Sequence, residues 1–249
     1  MKKIGFLGCG KIGQKMLQHV QDNHLAEVIF IQDPYFKGKT GIPVLKQWED
    51  ELCRQADLVI ECATADVLKD TAEKILESAD LLSFSVTAFS DEDFQKKTES
   101  LCEKNRKRIY FPHGAILGLD GIFDGRDIIS EVSVTTTKNP KSLARNDEDY
   151  TVLYEGPTRK ACELYPRNVN VHAEIALAGI GFDRTVSKII SDPSVHTNTH
   201  IIKIKGEGID FEIKVSSFST GGVTGVYTPL SACGSLDRLL GSERKVEFV

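Results

Sequence analysis

The stretch Gly5–Gly13 reads GFLGCGKIG and sets Gly8, Gly10 and Gly13 in the spacing G-x-G-x-x-G. In a chain with 20 glycines the pattern alone says little, so its flanks decide what it is. Upstream, KKIGFLG is a short apolar run of strand type; downstream, KIGQKMLQHVQ places its apolar residues at helical spacing. The glycines therefore occupy a strand-to-helix turn. In such a turn Gly8 permits the tight bend, Gly10 lets a phosphate approach the backbone, and Gly13 lets the helix pack on the strand. The first helical residues, Lys11 and Ile12, add unpaired N–H groups at the positive end of the helix dipole. The next apolar run, AEVIFIQD, ends at Asp33, twenty residues past Gly13. A carboxylate there accepts both adenosine ribose hydroxyls of NAD and repels a 2′-phosphate, so the site is expected to take NAD, with NADP bound more weakly.

Outward from this turn, short apolar runs and amphipathic stretches alternate: ADLVIECA, ADVLKDTAEKILES, ADLLSFSV, DEDFQKKTESLCEK and KRIYFPH. Apolar strands separated by helices predict a doubly wound parallel sheet of Rossmann type over residues 1–112. Two further strand ends of this sheet, at Cys62 and Ala63 and at Thr87 and Ala88, fall where such sheets bind ligands. Beyond Pro112 the strands lengthen and alternate, as in DIISEVSVTTTK and TVLYEG. In HIIKIKGEGIDFEIKVSSF, Ile209, Phe211, Ile213 and Val215 alternate with charged residues around a GEG hairpin signal. With a helix in VHAEIALAGIGF, residues 113–225 read as an α+β domain with a largely antiparallel sheet. A final helix over about 226–249 is expected, free to pack back on the first domain.

Composition excludes several classes. A net charge of −5 with mixed signs offers no basic stripe for nucleic acid. No apolar run approaches the roughly 20 residues that span a bilayer, and the N-terminus lacks the apolar segment of a signal peptide, so the expected compartment is the cytoplasm. The cysteines, Cys9, Cys53, Cys62, Cys102, Cys162 and Cys233, form no C-x-x-C pair, which predicts reduced thiols and no metal site. Self-association is left open.

Several stretches together resemble the L-aspartate dehydrogenase family: GCGKIG, ECATADVLKD, SVTAFSDEDF, FPHGAILGLDGI, TKNPKSL, LYPRNVNVHAEIAL and SDPSVHTNTHIIKI, in family order along nearly the whole chain. The resemblance implies a Rossmann domain joined to an α+β domain like that of dihydrodipicolinate reductase. It implies oxidation of L-aspartate to iminosuccinate, and on to oxaloacetate and ammonia, with NAD or NADP. The reverse reductive amination is implied too, as is a supply of imine to NAD biosynthesis. The family's catalytic histidine falls on His200, and its cofactor contacts fall on Ala115 and Asn170. His113 departs from the serine found in many members.

Read from residue types, His200 opens the strand HIIKIK after a loop. An imidazole titrating near neutrality there can move the proton that amine oxidation releases, although by residue type alone a strand-end hydrogen bond is the commoner role, and it is the resemblance that favours catalysis. Asn170 precedes an apolar helical run and is a helix cap or a cofactor contact. A dicarboxylate substrate needs cations, and Lys138, Lys141 and Arg167 are the candidates. His196 reads as a loop residue, and His19, His24 and His172 as helix or surface positions. Two other readings stay open: a different imine reductase on the same scaffold, and a non-catalytic NAD(H)-responsive binding protein that would not need His200.

Overall fold

The computed structural model describes residues 1–218 and 225–241, which divide into two compact units. One comprises Met1–Ser85, Lys96–Pro112 and the described residues from Pro229 onward; the other comprises Val86–Gln95 and the described residues of His113–Thr228. Val86–Gln95, which the strand–helix alternation runs into the first domain, thus clusters with the second unit. There the 3-10 turn Val86–Ser90 packs on a helix of that unit.

In the first unit, β1 (Lys3–Leu7), β2 (Glu27–Gln32), β3 (Val44–Leu45), β4 (Leu58–Glu61), β5 (Asp80–Ser83) and β6 (Ile109–Tyr110) form a sheet in the order β3-β2-β1-β4-β5-β6. Every pair is parallel. This is the doubly wound order, whose ligand crevice lies beyond the carboxyl ends of the central strands. β4 is buried along its whole length, as a strand covered on both faces must be. The connecting helices are α1 (Lys11–Asp22), α2 (Asp50–Cys53), α3 (Ala65–Leu76) and, from Lys96 onward, α4 (Glu92–Asn105). α1 buries Gly13, Met16, Leu17 and Val20, one stripe at helical spacing against β1. The Thr64 hydroxyl caps α3 by accepting from the Val67 N–H at 3.4 Å.

In the second unit, β7 (Ile129–Lys138), β8 (Thr151–Pro157), β9 (Val186–Ser191), β10 (Thr197–Gly206) and β11 (Ile209–Phe218) form a sheet ordered β11-β10-β7-β9-β8, antiparallel except for β7 with β9. The β10–β11 hairpin turns at Gly208, whose φ of +74° is the left-handed conformation that glycine adopts freely. α5 (Leu119–Gly125), α6 (Thr158–Leu164) and α7 (Asn170–Ala178) accompany this sheet. Ile122 and Ile175 close a core with Val132, Val134, Ile202 and Ile204. β9 lies in the sheet interior yet escapes a reading of hydropathy alone, because Ser187 and Lys188 interrupt its short apolar run.

The last helix, α8 (Tyr227–Leu240), adds Ala232, Cys233 and Leu236 to the core around β1 and α1, and its Asp237 carboxylate lies 2.7 Å from His19 Nε2.

Gly8 is the residue on which the first unit's central turn depends. Its φ is +83°, and a Cβ there would sit 2.8 Å from the Ala63 backbone. A side chain in the left-handed region costs about 1–2 kcal/mol before the clash is counted. Gly8→Ala is therefore expected to lower the melting temperature by roughly 4 to 8 °C, whereas Gly10→Ala leaves it within about 1 °C, as calorimetric scans would show.

Candidate active site

The turn after β1 has the shape of an anion cradle. Gly10 precedes α1 in extended conformation, and a Cβ built on it meets nothing within 4 Å, so open space lies against its backbone. Gly13, by contrast, is pinned: a Cβ there would come within 2.8 Å of the Gly8 carbonyl oxygen. The Asp33 carboxylate sits at the end of β2, accepting from the Cys9 N–H and the Tyr35 N–H at 2.8 Å each. These two bonds fix the carboxylate beside the turn and leave it lone pairs for further donors. Burial and the neighbouring Asp33 push the Cys9 thiol up to about 11, so it stays protonated.

Behind the turn, Glu61 closes β4 with a fully buried carboxylate. It accepts from the Ala63 N–H at 2.7 Å, the Ser85 N–H at 3.0 Å, and the hydroxyls of Ser83 and Ser85 at 2.9 and 2.7 Å. Burial raises its pKa while these donors oppose the rise. The network holds Cys62 and Ala63 where Gly8 packs against them.

In the second unit a polar cluster interrupts the buried sheet face. Along β7 the inward positions run Val132, Val134, Thr136, Lys138, and along β10 they run Asn198, His200, Ile202, Ile204, so apolar packing gives way to polar groups at one end of the sheet. His200 pairs in register with Thr136, and its Nδ1 lies 2.8 Å from the Thr136 hydroxyl. That hydroxyl also lies 2.6 Å from Nε2 of His172 on α7, whose Nδ1 lies 2.9 Å from the Ser187 hydroxyl. The run continues 2.7 Å to the Thr158 hydroxyl and 3.0 Å to the Thr185 carbonyl. Nε2 of His200 has no hydrogen-bond partner among the described residues.

Burial, with the charge of Lys138 added to it, pushes His200 down to about 3, so the imidazole is neutral throughout the working range. Burial together with His200 and Lys138 holds His172 neutral as well. Lys138 is 3% exposed and pushed down to about 8 by burial, so its ammonium persists at neutral pH; it donates to Asn168 Oδ1 at 3.4 Å. A neutral imidazole with one free nitrogen beside a buried cation can accept a proton from an anionic molecule that the cation holds.

Two expectations change. His200 does not open its strand: β10 begins at Thr197, because Thr197–Thr199 already pair with Phe218–Ser216 of β11. Asn170 does not cap α7. It is the first helical residue, and its side-chain oxygen accepts from the Thr87 N–H at 3.3 Å, joining two of the expected cofactor contacts. Thr87 also donates its hydroxyl to the Pro166 carbonyl at 3.2 Å, and Ala88 is buried next to it. Of its two readings His172 takes the helix position, and on α7 it is fully buried. The clue in the sequence was the phase of VSVTTTK, where Thr136 and Lys138 continue the inward register of Val132 and Val134.

Ala115 is half-buried against the second unit's core, and Lys141 and Arg167 are exposed. Lys141 lines an open cleft of about 600 Å³ with Arg145 and His196. Among the described residues there is no cluster of three metal-ligating side chains and no helix long and apolar enough to cross a membrane.

Residues 8–112 match the family model described as the NAD binding domain of homoserine dehydrogenase, and residues 123–239 match that of the aspartate dehydrogenase C-terminal domain. The L-aspartate dehydrogenase of Methanosarcina barkeri is 33% identical over 96% of this chain and 97% of its own. That of Archaeoglobus fulgidus is 34% identical over 85% and 86%. Among solved structures, aspartate dehydrogenase from Thermotoga maritima superposes with a TM-score of 0.84 at 29% identity, covering 100% of both chains. A Paenisporosarcina dihydrodipicolinate reductase, at 14% identity and a TM-score of 0.57, shares the fold alone. With the nucleotide turn, the two sheets and a relative matched along almost its full length, this chain belongs to the L-aspartate dehydrogenase family.

Proposed function

We propose that the chain oxidises L-aspartate to iminosuccinate, and reductively aminates in reverse, with NAD preferred to NADP. The observation that carries this reading is the pairing of a buried neutral His200, its Nε2 open, with the buried ammonium of Lys138. A sensor that only bound nucleotide would have no use for that pair.

The residues of the turn fit a dinucleotide. Gly8 and Gly13 shape the bend, the open side of Gly10 and the N–H groups of Lys11, Ile12 and Gly13 receive the pyrophosphate, and Asp33 accepts the ribose hydroxyls. Ala115 and Asn170 are further contacts by resemblance to the family, and Cys62, Ala63, Thr87 and Ala88 by their place after the carboxyl ends of strands. When bound, the nicotinamide supplies the acceptor for hydride from the substrate α-carbon.

Aspartate arrives as an ammonium dicarboxylate, and its C–H electron pair can leave as hydride only after the nitrogen regains a lone pair. His200 Nε2 takes that proton. Lys138 holds one carboxylate, and Lys141 and Arg167 are the candidates for the other. Burial is the larger cause of the depressed His200 and the Lys138 charge the smaller; pairing Lys138 with a carboxylate offsets the second, so the imidazole becomes a stronger base when the substrate is present. Once the proton is released, the same imidazole accepts one from the water that adds to iminosuccinate, which then collapses to oxaloacetate and ammonia.

General acid–base assistance is worth about 10² to 10⁴ in rate, so His200→Ala should lose that factor in kcat for aspartate oxidation with NADH affinity unchanged. Turnover within about threefold of wild type would remove His200 from catalysis.

Asp33→Ser removes the group that grips the ribose and repels a 2′-phosphate. The ratio of kcat/KM for NAD to that for NADP should fall; an unchanged ratio would take Asp33 out of the cofactor site.

Lys138 titrates at about 8, so its charge is present below that pH and lost above it. Succinate binding to the enzyme–NADH complex, followed by calorimetry, should weaken above pH 8 by up to about tenfold per unit. Lys138→Arg should flatten this limb, since a guanidinium stays charged. A limb that persists in Lys138→Arg would assign it to another group.

A further inference from the structure

Each hydrogen bond between His200 and Thr185 has a direction, and the far end fixes them all. A carbonyl oxygen only accepts, so the Thr158 hydroxyl donates to Thr185 O. With its one proton committed, Thr158 must accept from Ser187. Ser187, its proton likewise spent, must accept from Nδ1 of His172. A neutral His172 carries that single ring proton on Nδ1, so its Nε2 accepts from Thr136. Thr136 can then only accept from Nδ1 of His200. Reversed polarity would set the Thr158 and Thr185 oxygens against each other without a proton, 3.0 Å apart.

We infer that His172 is a positioning residue that holds His200 in its Nδ1–H tautomer, so that Nε2 is the nitrogen left to take the substrate proton. The inference rests on the proposed role of His200 as base. It assigns work to a helix residue that touches neither the cofactor turn nor the open nitrogen. The chain has a second effect. Its dipoles present Thr136 oxygen to Nδ1–H, so they favour the imidazolium that forms when Nε2 is protonated, and neighbouring bonds polarise one another in the same sense. No proton travels along the chain. The proton that Nε2 gains is the one the substrate nitrogen loses, and Nδ1–H stays in place throughout.

Two variants separate this role from plain packing. His172→Phe fills the volume but offers Thr136 no acceptor, so the freed hydroxyl turns to donate to His200 Nδ1 and the ring proton moves to Nε2. His172→Gln keeps one acceptor and one donor. In ¹⁵N-histidine-labelled protein, wild-type His200 should show a pyrrole-type Nδ1 and a pyridine-type Nε2, and His172→Phe should exchange them. With this exchange kcat for aspartate should fall about 10- to 100-fold, with NADH affinity unchanged and most of the rate restored in His172→Gln. Thr158→Val, nearly isosteric, removes the anchor and should yield a mixture of tautomers; it serves if His172→Phe does not fold. An Nε2–H tautomer in the wild-type protein, or an unchanged tautomer in folded His172→Phe or Thr158→Val, would overturn the inference. The spectra are independent of turnover, so a protein inactive on aspartate but with the expected wild-type tautomer would defeat the proposed function alone.

Discussion

The second unit is organised around the burial of an uncharged imidazole. His200 is 5% exposed, and taking an imidazolium to that depth without a counter-charge is unfavourable enough to hold the ring neutral. Neutrality sets a further demand, because a neutral ring carries one proton and its hydrogen bonds must suit that arrangement. Thr136, His172, Ser187 and Thr158 satisfy it from three different elements, β7, α7 and β9, and from the first residue of α6. The sheet register brings Thr136 opposite His200, and α7 lays His172 on the same buried face. Packing and polarity are therefore one constraint: the elements that close the core also complete the hydrogen bonds that a buried polar cluster requires.

The first unit meets a different constraint, close backbone approach. Gly8 and Gly13 are small because protein lies against them, whereas Gly10 is small although nothing does. Spacing alone cannot separate these two reasons for glycine; the positions that a Cβ would occupy can. Glu61 stabilises the arrangement from behind. Its buried carboxylate collects four donors from Ala63, Ser83 and Ser85, so the β4 end against which Gly8 packs is held from inside the sheet.

Much of the architecture was legible in the sequence because apolar periodicity is a local signal. The parallel sheet, the alternating strands of the second domain and the hairpin at Gly208 follow from runs, phases and turn residues. The polar cluster was less legible. Lys138 stands out by its charge and His200 through a family resemblance, but Thr136, Ser187 and Thr158 are ordinary hydroxyl residues whose significance comes only from long-range register. His172 reads as a helix position because α7 is short and almost uniformly buried, with no polar face to set its phase. β9 was hidden for a related reason: Ser187 breaks its apolar run, and that same serine is a link in the chain.

The fate of the α-hydrogen tests the proposed oxidation most directly. With L-aspartate deuterated at the α-carbon and NAD, mass spectrometry of the reduced cofactor should find one deuterium per turnover, matched by equal oxaloacetate and ammonia. Deuterium retained in aspartate by a folded, NADH-binding protein, with label transferred instead from some other amino acid, would contradict it.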